Sequence, residues 1–199
     1  MKVIDYIKYM AAVIPGDSLI VASHTDNSQA LISLNLADRS FLGFNMGFAT
    51  PIGIGLAVAL PHRRVFILDG DGGVLLLSAA LADLASQSPP NAVVIVADNE
   101  SSLAFPSHSA RRADIAAMAK SAGVENSCTV RNLEEFKAEF TKALARKTMT
   151  YVVAKTEKGR VPVPEGVRQP LLWENKFRFV RYIEETEGLS ILKPFGGGM

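Results

Sequence analysis

Two acidic residues and three glycines follow the apolar run at residues 64–68, where the sequence continues Asp-Gly-Asp-Gly-Gly through residue 73. Glycines permit a tight turn and let backbone N–H groups approach a ligand closely. The helix predicted to begin at Val74 adds a positive N-terminal end, which suits an anion such as phosphate. The carboxylates of Asp69 and Asp71 would repel a phosphate bound at this turn. The presence of both acidic residues and a phosphate-binding turn therefore predicts a metal ion between the carboxylates and the phosphate.

A second polar pair, Asp98 and Asn99, ends the next apolar run at residues 92–97. If the two runs are neighbouring parallel strands, their carboxyl ends meet at one edge of the sheet. Asp71 and Asn99 then supply two hard oxygen ligands and leave room for phosphate oxygens, a backbone carbonyl and water, as Mg²⁺ prefers. Asp-Gly pairs are also ordinary turn formers, so either motif by itself is weak evidence for a ligand site. Their common position at one edge of the sheet favours such a site.

The spacing of these residues resembles the metal–diphosphate signature of thiamine diphosphate enzymes, in which Gly-Asp-Gly is followed later by Asn. Residues 44–53 are similar to the segment that precedes this signature in the acetolactate synthase and decarboxylase branch. The resemblance covers about residues 17–154 and implies thiamine diphosphate and Mg²⁺ as cofactors. It implies metal ligation by Asp71, Asn99 and the backbone carbonyl of Ser101. The cofactor-binding residues that it suggests are Asn27, Ser28, Phe44, Met46, Gly70, Gly72, Gly73 and Asn99.

Met46 and two histidines are the remaining site candidates. Met46 matches the bulky residue that holds the two cofactor rings in a V shape in this family, although a methionine also fills gaps in a core. His24 follows the first strand and His108 follows the strand that ends at Asp98, so both belong to the expected active edge. They are the candidate catalytic residues, with a structural role as the alternative, whereas His62 is expected at the surface.

The elements around these residues alternate between strand and helix, which predicts an α/β fold: an open, mostly parallel, doubly wound sheet with helices on both faces. The predicted strands are at residues 18–22, 39–43, 64–68, 92–97, 127–130 and 151–154. The predicted helices are at 3–14, 28–36 with Asn27 as its cap, 51–60, 74–86, 114–121, 133–146 and 172–185. Residues 1–157 are expected to form the thiamine diphosphate/Mg-binding domain, and residues 158–199 a C-terminal arm, a helix and a flexible tail.

Composition narrows the class of protein. The 199 residues carry a formal charge of +1, which gives no basic excess for nucleic acid. One cysteine, Cys128, forms no internal disulfide, which is typical of a reducing compartment. Asp5 and Lys8 interrupt the N-terminal apolar segment, which argues against a signal peptide, and the longest weakly polar run, residues 48–60, is too short for a membrane span. We expect a cytoplasmic protein.

The chain has room for only one of the two similar domains that complete enzymes of this family carry. The other domain binds the pyrimidine ring and supplies an activating glutamate, and no Glu here follows a strand in that way; Glu100 lies beside a metal ligand. The resemblance therefore implies one subunit of a heteromeric 2-oxo acid decarboxylase of the sulfopyruvate or phosphonopyruvate type. Its partner would be a pyrimidine-binding (α) subunit, in a hetero-oligomeric or dimer-based assembly.

The substrate and the reaction stay open. Residues 100–109 contain Leu, Phe and Pro where those relatives are rich in glycine. Arg111 and Arg112 could bind a sulfonate or phosphonate, or could be exposed residues ahead of a helix. The basic residues after the last strand, Lys155, Lys158 and Arg160, are interpreted as solvated. A carboligase or acyl transferase of the acetolactate synthase type, or a non-catalytic cofactor-binding module, are the alternative functions.

Overall fold

A six-stranded parallel sheet organises the computed structural model, which describes residues 1–24, 26–43, 45–101, 109–167 and 169–192. The strands are β1 (Leu19–Ala22), β2 (Ser40–Leu42), β3 (Val65–Gly70), β4 (Ala92–Asp98), β5 (Ser127–Val130) and β6 (Thr150–Lys155). The helices are α1 (Val3–Val13), α2 (Asp26–Ser33), α3 (Ala49–Ala59), α4 (Asp71–Leu76), α5 (Ala80–Gln87), α6 (Ile115–Ser121), α7 (Leu133–Ala145) and α8 (Leu172–Glu187). The strand order is β2-β1-β3-β4-β6-β5 with every pair parallel, which confirms the predicted fold class.

The two central strands bring the polar motifs together. β3 and β4 are continuous apolar runs because helices cover both of their faces. Their register pairs Val65 with Ala92 and Gly70 with Ala97, so the two strands end level with each other. Asp71, the residue after β3, and Asp98, the last residue of β4, therefore meet at the carboxyl edge.

Helices pack on both faces of the sheet and form two hydrophobic clusters. One cluster contains buried residues of α1, α2 and α7, such as Tyr6, Leu31 and Phe136. The other contains buried residues of α3, α5, α6 and α8. The chain leaves β1 toward the first cluster and β3 toward the second. It likewise leaves β4 toward the second cluster and β6 toward the first. Such reversals open a crevice beyond the strand ends, which is where open α/β sheets bind ligands.

Helix α3 approaches β3 closely because its buried face carries a glycine. A Cβ on Gly53 would lie 2.3 Å from Cγ1 of Ile67, whereas a Cβ on Gly55 would have no atom within 4 Å. We predict that Gly53→Ala lowers the free energy of unfolding by about 2 kcal/mol through overpacking. Gly55→Ala on the exposed side of the same helix should raise it by up to about 1 kcal/mol. Urea unfolding of both variants measures the difference, and equal effects would contradict this account of the packing.

Two of the predicted helices, at residues 74–86 and 28–36, differ from the observed ones. The helix expected at residues 74–86 is two helices, α4 and α5, because at Leu77 the backbone leaves the helical region (φ −123°, ψ 53°). α4 begins at Asp71 and not at Val74, with the extended residue Gly70 preceding it. Asn27 does not cap α2, since that helix already begins at Asp26. Its side chain instead forms tertiary hydrogen bonds.

The C-terminal segment packs on the edge of the sheet. Asn175 of α8 accepts a hydrogen bond from the backbone N–H of Leu42 (2.8 Å) and donates to the carbonyls of Ala37 and Ser40 (3.0 Å each). These bonds cover the edge strand β2, which would otherwise expose unpaired backbone groups. The division of the chain after residue 157 stays a prediction, and the expected flexible tail, residues 193–199, lies outside the described residues.

None of the helices in the described part of the chain has the length and apolar character that a membrane span requires.

Candidate functional site

A cleft of about 250 Å³ opens beyond the carboxyl ends of β1, β3 and β4. The predicted site residues that line it are His24, Asn27, Met46, Gly70, Asp71, Gly72, Gly73, Asn99 and Ser101. Ser28 is buried and does not line the cleft, while Phe44 and His108 lie outside the described residues. The structure brings the lining residues together at one strand edge, and the part that each plays in binding stays a prediction.

Asp69, the last residue of β3 before Gly70, forms the floor of the cleft and is fully buried. One carboxylate oxygen accepts from the Thr50 hydroxyl (2.9 Å) and the other from the Gly70 backbone N–H (2.8 Å). Burial raises the pKa of Asp69, and these hydrogen bonds act against the rise. With both oxygens bonded to the protein, Asp69 supports the turn and has a structural role.

Two glycines let three chain segments meet at this floor. A Cβ on Gly73 would lie 2.4 Å from Oδ1 of Asp69 and 3.0 Å from the backbone N of Gly47. Gly47 adopts a φ of 85°, in the left-handed region that favours glycine. A Cβ there would lie 3.0 Å from both the Gly73 carbonyl and the Leu77 side chain. The segment that carries Met46 therefore packs directly on α4.

Asp71 carries a buried carboxylate oxygen without a hydrogen-bond partner. Its Oδ1 accepts from the Gly72 N–H (2.7 Å), but its Oδ2 has no partner, and the residue is only 5% exposed. Burial and, to a smaller extent, the neighbouring carboxylate of Asp98 together raise the pKa of Asp71 to about 6, and the hydrogen bond from the Gly72 N–H acts against the rise. A buried, unsatisfied carboxylate oxygen destabilises a fold, and a cation placed here would remove both the unpaired oxygen and the repulsion.

Asn99 lies in the turn after β4, where its Oδ1 accepts from the Ser101 backbone N–H (2.9 Å). The intervening residue, Glu100, has a left-handed φ of 51°. Lys155 lies between the two acidic neighbours of Asn99, with its Nζ 2.7 Å from Asp98 Oδ2 and 3.0 Å from Glu100 Oε1. The interpretation of Lys155 as a solvated residue is therefore wrong, because its charge is needed to pair the buried Asp98.

The donor set fits a hard divalent cation. Among the described residues, no group of three or more His, Cys, Asp or Glu side chains is arranged to hold a metal. Here the protein offers the free oxygen of Asp71, the amide oxygen of Asn99 and the backbone of Ser101, which all reach the same cleft. Mg²⁺ is commonly bound by one or two protein oxygens together with phosphate oxygens and water. The cleft can thus hold a metal–diphosphate pair.

Asn27 and Ser28 hold the strand ends together. The Asn27 amide donates to Ser23 Oγ (3.3 Å) and to the Asp69 carbonyl (3.0 Å), and its oxygen accepts from the Tyr6 hydroxyl (2.8 Å). The Ser28 hydroxyl donates to the Ser23 carbonyl (2.8 Å). Because these polar atoms are already bonded within the protein, the structure gives both residues a structural role, and direct cofactor binding by either stays a prediction.

The rim of the cleft contains a cationic residue, Arg160, that was interpreted as solvated and was not predicted to line the site. Arg160 lies in the arm after β6 and lines the cleft together with His24 and the half-buried Met46. The arm is held there by a hydrogen bond from the Val161 N–H to the Asp26 carboxylate (3.1 Å). The arm has no periodic pattern, so only its position after the last strand could have indicated that Arg160 lies at the cleft.

A carboxylate and an amide oxygen at the carboxyl edge of such a sheet, above a glycine-rich turn, define a class of cofactor-binding domain. Residues 23–154 match the family described as thiamine pyrophosphate enzyme, C-terminal TPP binding domain. The chain belongs to this family.

The chain is similar over most of its length to two beta subunits of sulfopyruvate decarboxylase. The chain is 31% identical over 160 residues to the sulfopyruvate decarboxylase subunit beta of Methanocaldococcus jannaschii, across 78% of this chain and 84% of that protein. It is 32% identical over 178 residues to the subunit of the same name from Methanothermobacter thermautotrophicus, across 87% of this chain and 90% of the relative.

A solved structure shares the fold. Benzoylformate decarboxylase from Polynucleobacter necessarius aligns with a TM-score of 0.67 at 20% identity, across 81% of this chain and 34% of that chain. This chain therefore spans about a third of the solved enzyme, and the likeness extends to the fold alone.

Proposed function

We propose that the chain is the diphosphate- and Mg²⁺-binding subunit of a heteromeric thiamine diphosphate-dependent 2-oxo acid decarboxylase. The observation that carries the proposal is the unpaired, buried Oδ2 of Asp71, which shares a cleft with Asn99. Family membership supports thiamine diphosphate as the ligand of this cleft. The two beta subunits support a subunit role, since the chain covers 84% and 90% of their lengths.

The protein's part in this function is to hold and orient the cofactor. Asp71, Asn99 and the Ser101 carbonyl hold Mg²⁺, and the positive side chain of Arg160 at the rim faces the bound anion. Met46 lines the cleft and would pack against the rings of the cofactor, and His24, at the same cleft, would act on the substrate. When bound, thiamine diphosphate supplies the electron sink that accepts the electron pair left by departing CO₂.

A partner surface is supported by exposed apolar side chains beside the cleft. Phe48 and Ile52 lie one turn apart at the start of α3, immediately after Met46, and are 49% and 37% exposed. Leu76, at the end of α4, is 60% exposed. Neighbouring exposed apolar side chains such as Phe48 and Ile52 are typical of interaction sites. The proposed partner is a pyrimidine-binding (α) subunit that supplies the activating glutamate, and the single Cys128 fits assembly in the reducing cytoplasm.

The test is reconstitution. CO₂ release from sulfopyruvate and from phosphonopyruvate is measured with this chain alone, with a candidate α subunit alone, and with the mixture, all with thiamine diphosphate and Mg²⁺. We expect release only from the mixture, with pyruvate as the control that lacks the second acidic group. Full activity of the chain alone would contradict the subunit role, and release of CO₂ with a new carbon–carbon bond in place of the free aldehyde would favour a carboligase.

A further inference from the structure

A second pocket, of about 230 Å³, lies at the carboxyl edge of β4, β5 and β6 and beneath the start of α6. It occupies the second crevice of the sheet, where β4 leads to α6 on one face and β6 leads to the arm on the other. Val161 and Val163 of that arm pack with the cluster of α1, α2 and α7. The pocket is therefore at a topological switch point, the kind of place where open α/β sheets bind ligands.

The alternation of side-chain direction along β4 separates this pocket from the cofactor cleft. Successive side chains of β4 point to opposite faces, so Ala97 lines the cofactor cleft and Asp98 lines the second pocket. Thr129 of β5 and Val153 of β6 complete the floor beside Asp98. Asp98 and Val153 are 2% and 1% exposed, so the pocket has a rigid, buried base.

The walls of this pocket are cationic. Arg111, Arg112 and Arg131 line it from two separate segments. Within the described residues, none of their guanidinium groups forms a hydrogen bond or an ion pair, although Arg111 adds a little to the lowering of the Glu100 pKa that the hydrogen bond from Lys155 causes. The lining carboxylate that remains beside them is Asp114, which caps α6 through the Ala117 N–H (3.0 Å).

The charges of this crevice do not balance internally. The fourth cation, Lys155, is already paired with Asp98 and Glu100. Three guanidinium groups without an ion-pair partner therefore line a concave space in which the remaining carboxylate, Asp114, caps α6, and positive potential is concentrated there. Guanidinium groups present several N–H donors in a planar fork that matches the oxygens of a phosphate or sulfonate.

We propose that this crevice binds a tetrahedral oxyanion, the phosphate or sulfonate group of a small molecule or a free phosphate ion, separately from the cofactor. The site is lined by residues at the ends of β4, β5 and β6, so a bound anion would lie near the end of the strand that precedes Asn99, where Lys155 pairs the Asp98 carboxylate. It would neutralise the arginines without using any residue of the cofactor cleft.

The experiment is calorimetric titration of inorganic phosphate into the full chain in excess thiamine diphosphate and Mg²⁺, so that the cofactor cleft is filled. The test variant is the double substitution Arg111→Gln/Arg131→Gln, and the matched control is Lys120→Gln, which removes an exposed cation near the far end of α6. We expect saturable binding by the wild type and the control, and at least about tenfold weaker binding by the double variant. Circular dichroism checks that the exposed substitutions leave the fold intact.

Competition distinguishes the two sources of the anion. Displacement of phosphate by ethanesulfonate would support a site for the acid group of an organic molecule, and failure of ethanesulfonate to compete would support a site for phosphate itself. The proposal is overturned if the wild type shows no saturable binding, if cofactor abolishes it, or if Lys120→Gln weakens it as much as the double variant does.

Discussion

Asp71→Asn is expected to stabilise the metal-free chain at pH 7 by about 1–2 kcal/mol and to weaken Mg²⁺-dependent binding of thiamine diphosphate by at least about 100-fold. The stabilisation follows because burial and the nearby carboxylate of Asp98 hold the pKa of Asp71 at about 6. An asparagine keeps the acceptor for the Gly72 N–H and places an amide donor where the unpaired oxygen now lies. The loss of binding follows because an amide does not replace the anionic metal ligand.

The pH dependence has a definite sign. An aspartate in the unfolded chain ionises near pH ~3.9, whereas Asp71 in the folded chain ionises with a pKa of about 6. Between these values the folded state holds more protons, so the contribution of Asp71 to the stability of the metal-free chain falls as the pH rises from about 4 to 6. Mg²⁺ requires the ionised form, so its affinity should rise over the same interval and level off above pH ~6.

Urea unfolding at pH 5 and pH 7.5, with and without Mg²⁺, measures the stability part of this prediction, and calorimetry with thiamine diphosphate measures the binding part. Asp83→Asn, at an exposed position of α5, is the matched control and should change neither. Retained Mg²⁺-dependent cofactor binding in Asp71→Asn would remove Asp71 from the metal site and with it the main support for the proposed function.

The sequence predicted the sheet and the meeting of Asp71 with the end of β4 for a physical reason. Residues 65–68 and 92–97 are unbroken apolar runs, which are typical of strands covered on both faces. Two such strands in sequence, joined by a helix, form a right-handed parallel unit whose carboxyl ends share an edge. The position of Asn99 near Asp71 followed from that topology alone, without any knowledge of side-chain contacts.

The details that the sequence did not predict depend on contacts between distant residues. Asn27 was expected to cap a helix, but it bonds to Tyr6, 21 residues earlier, and to Asp69, 42 residues later. Lys155 was expected to be solvated, yet Asp98, 57 residues earlier in the chain, requires a partner once it is buried. Local spacing and propensity carry no information about such pairings, whereas the burial of a charge at a strand end makes them necessary.

Gly73→Ala is expected to lower the free energy of unfolding by about 3 kcal/mol and to reduce affinity for thiamine diphosphate and Mg²⁺ by at least about tenfold. A methyl group at Gly73 would lie 2.4 Å from Oδ1 of Asp69. That oxygen already accepts from the Gly70 N–H, and the other oxygen of Asp69 accepts from Thr50. Relief of the clash must move either this buried network or the first turn of α4, which carries Asp71.

Gly70→Ala is the matched control and the more informative half of the pair. Gly70 belongs to the Gly-Asp-Gly signature and Gly73 does not, so the motif alone predicts that Gly70 is the more sensitive position. The structure predicts the reverse: Gly70 is extended (φ −115°, ψ 158°), and a Cβ there would have its nearest neighbour at 4.0 Å. Gly70→Ala should therefore stay within about 1 kcal/mol of the wild type in urea unfolding.

Cofactor calorimetry on the two glycine variants separates the effect on the fold from the effect on the site. If Gly70→Ala keeps wild-type stability and loses cofactor affinity, the glycine of the signature is needed for the approach of the diphosphate. If Gly73→Ala keeps both, the close contact with Asp69 does not hold the turn, and the geometry that presents Asp71 must have another cause.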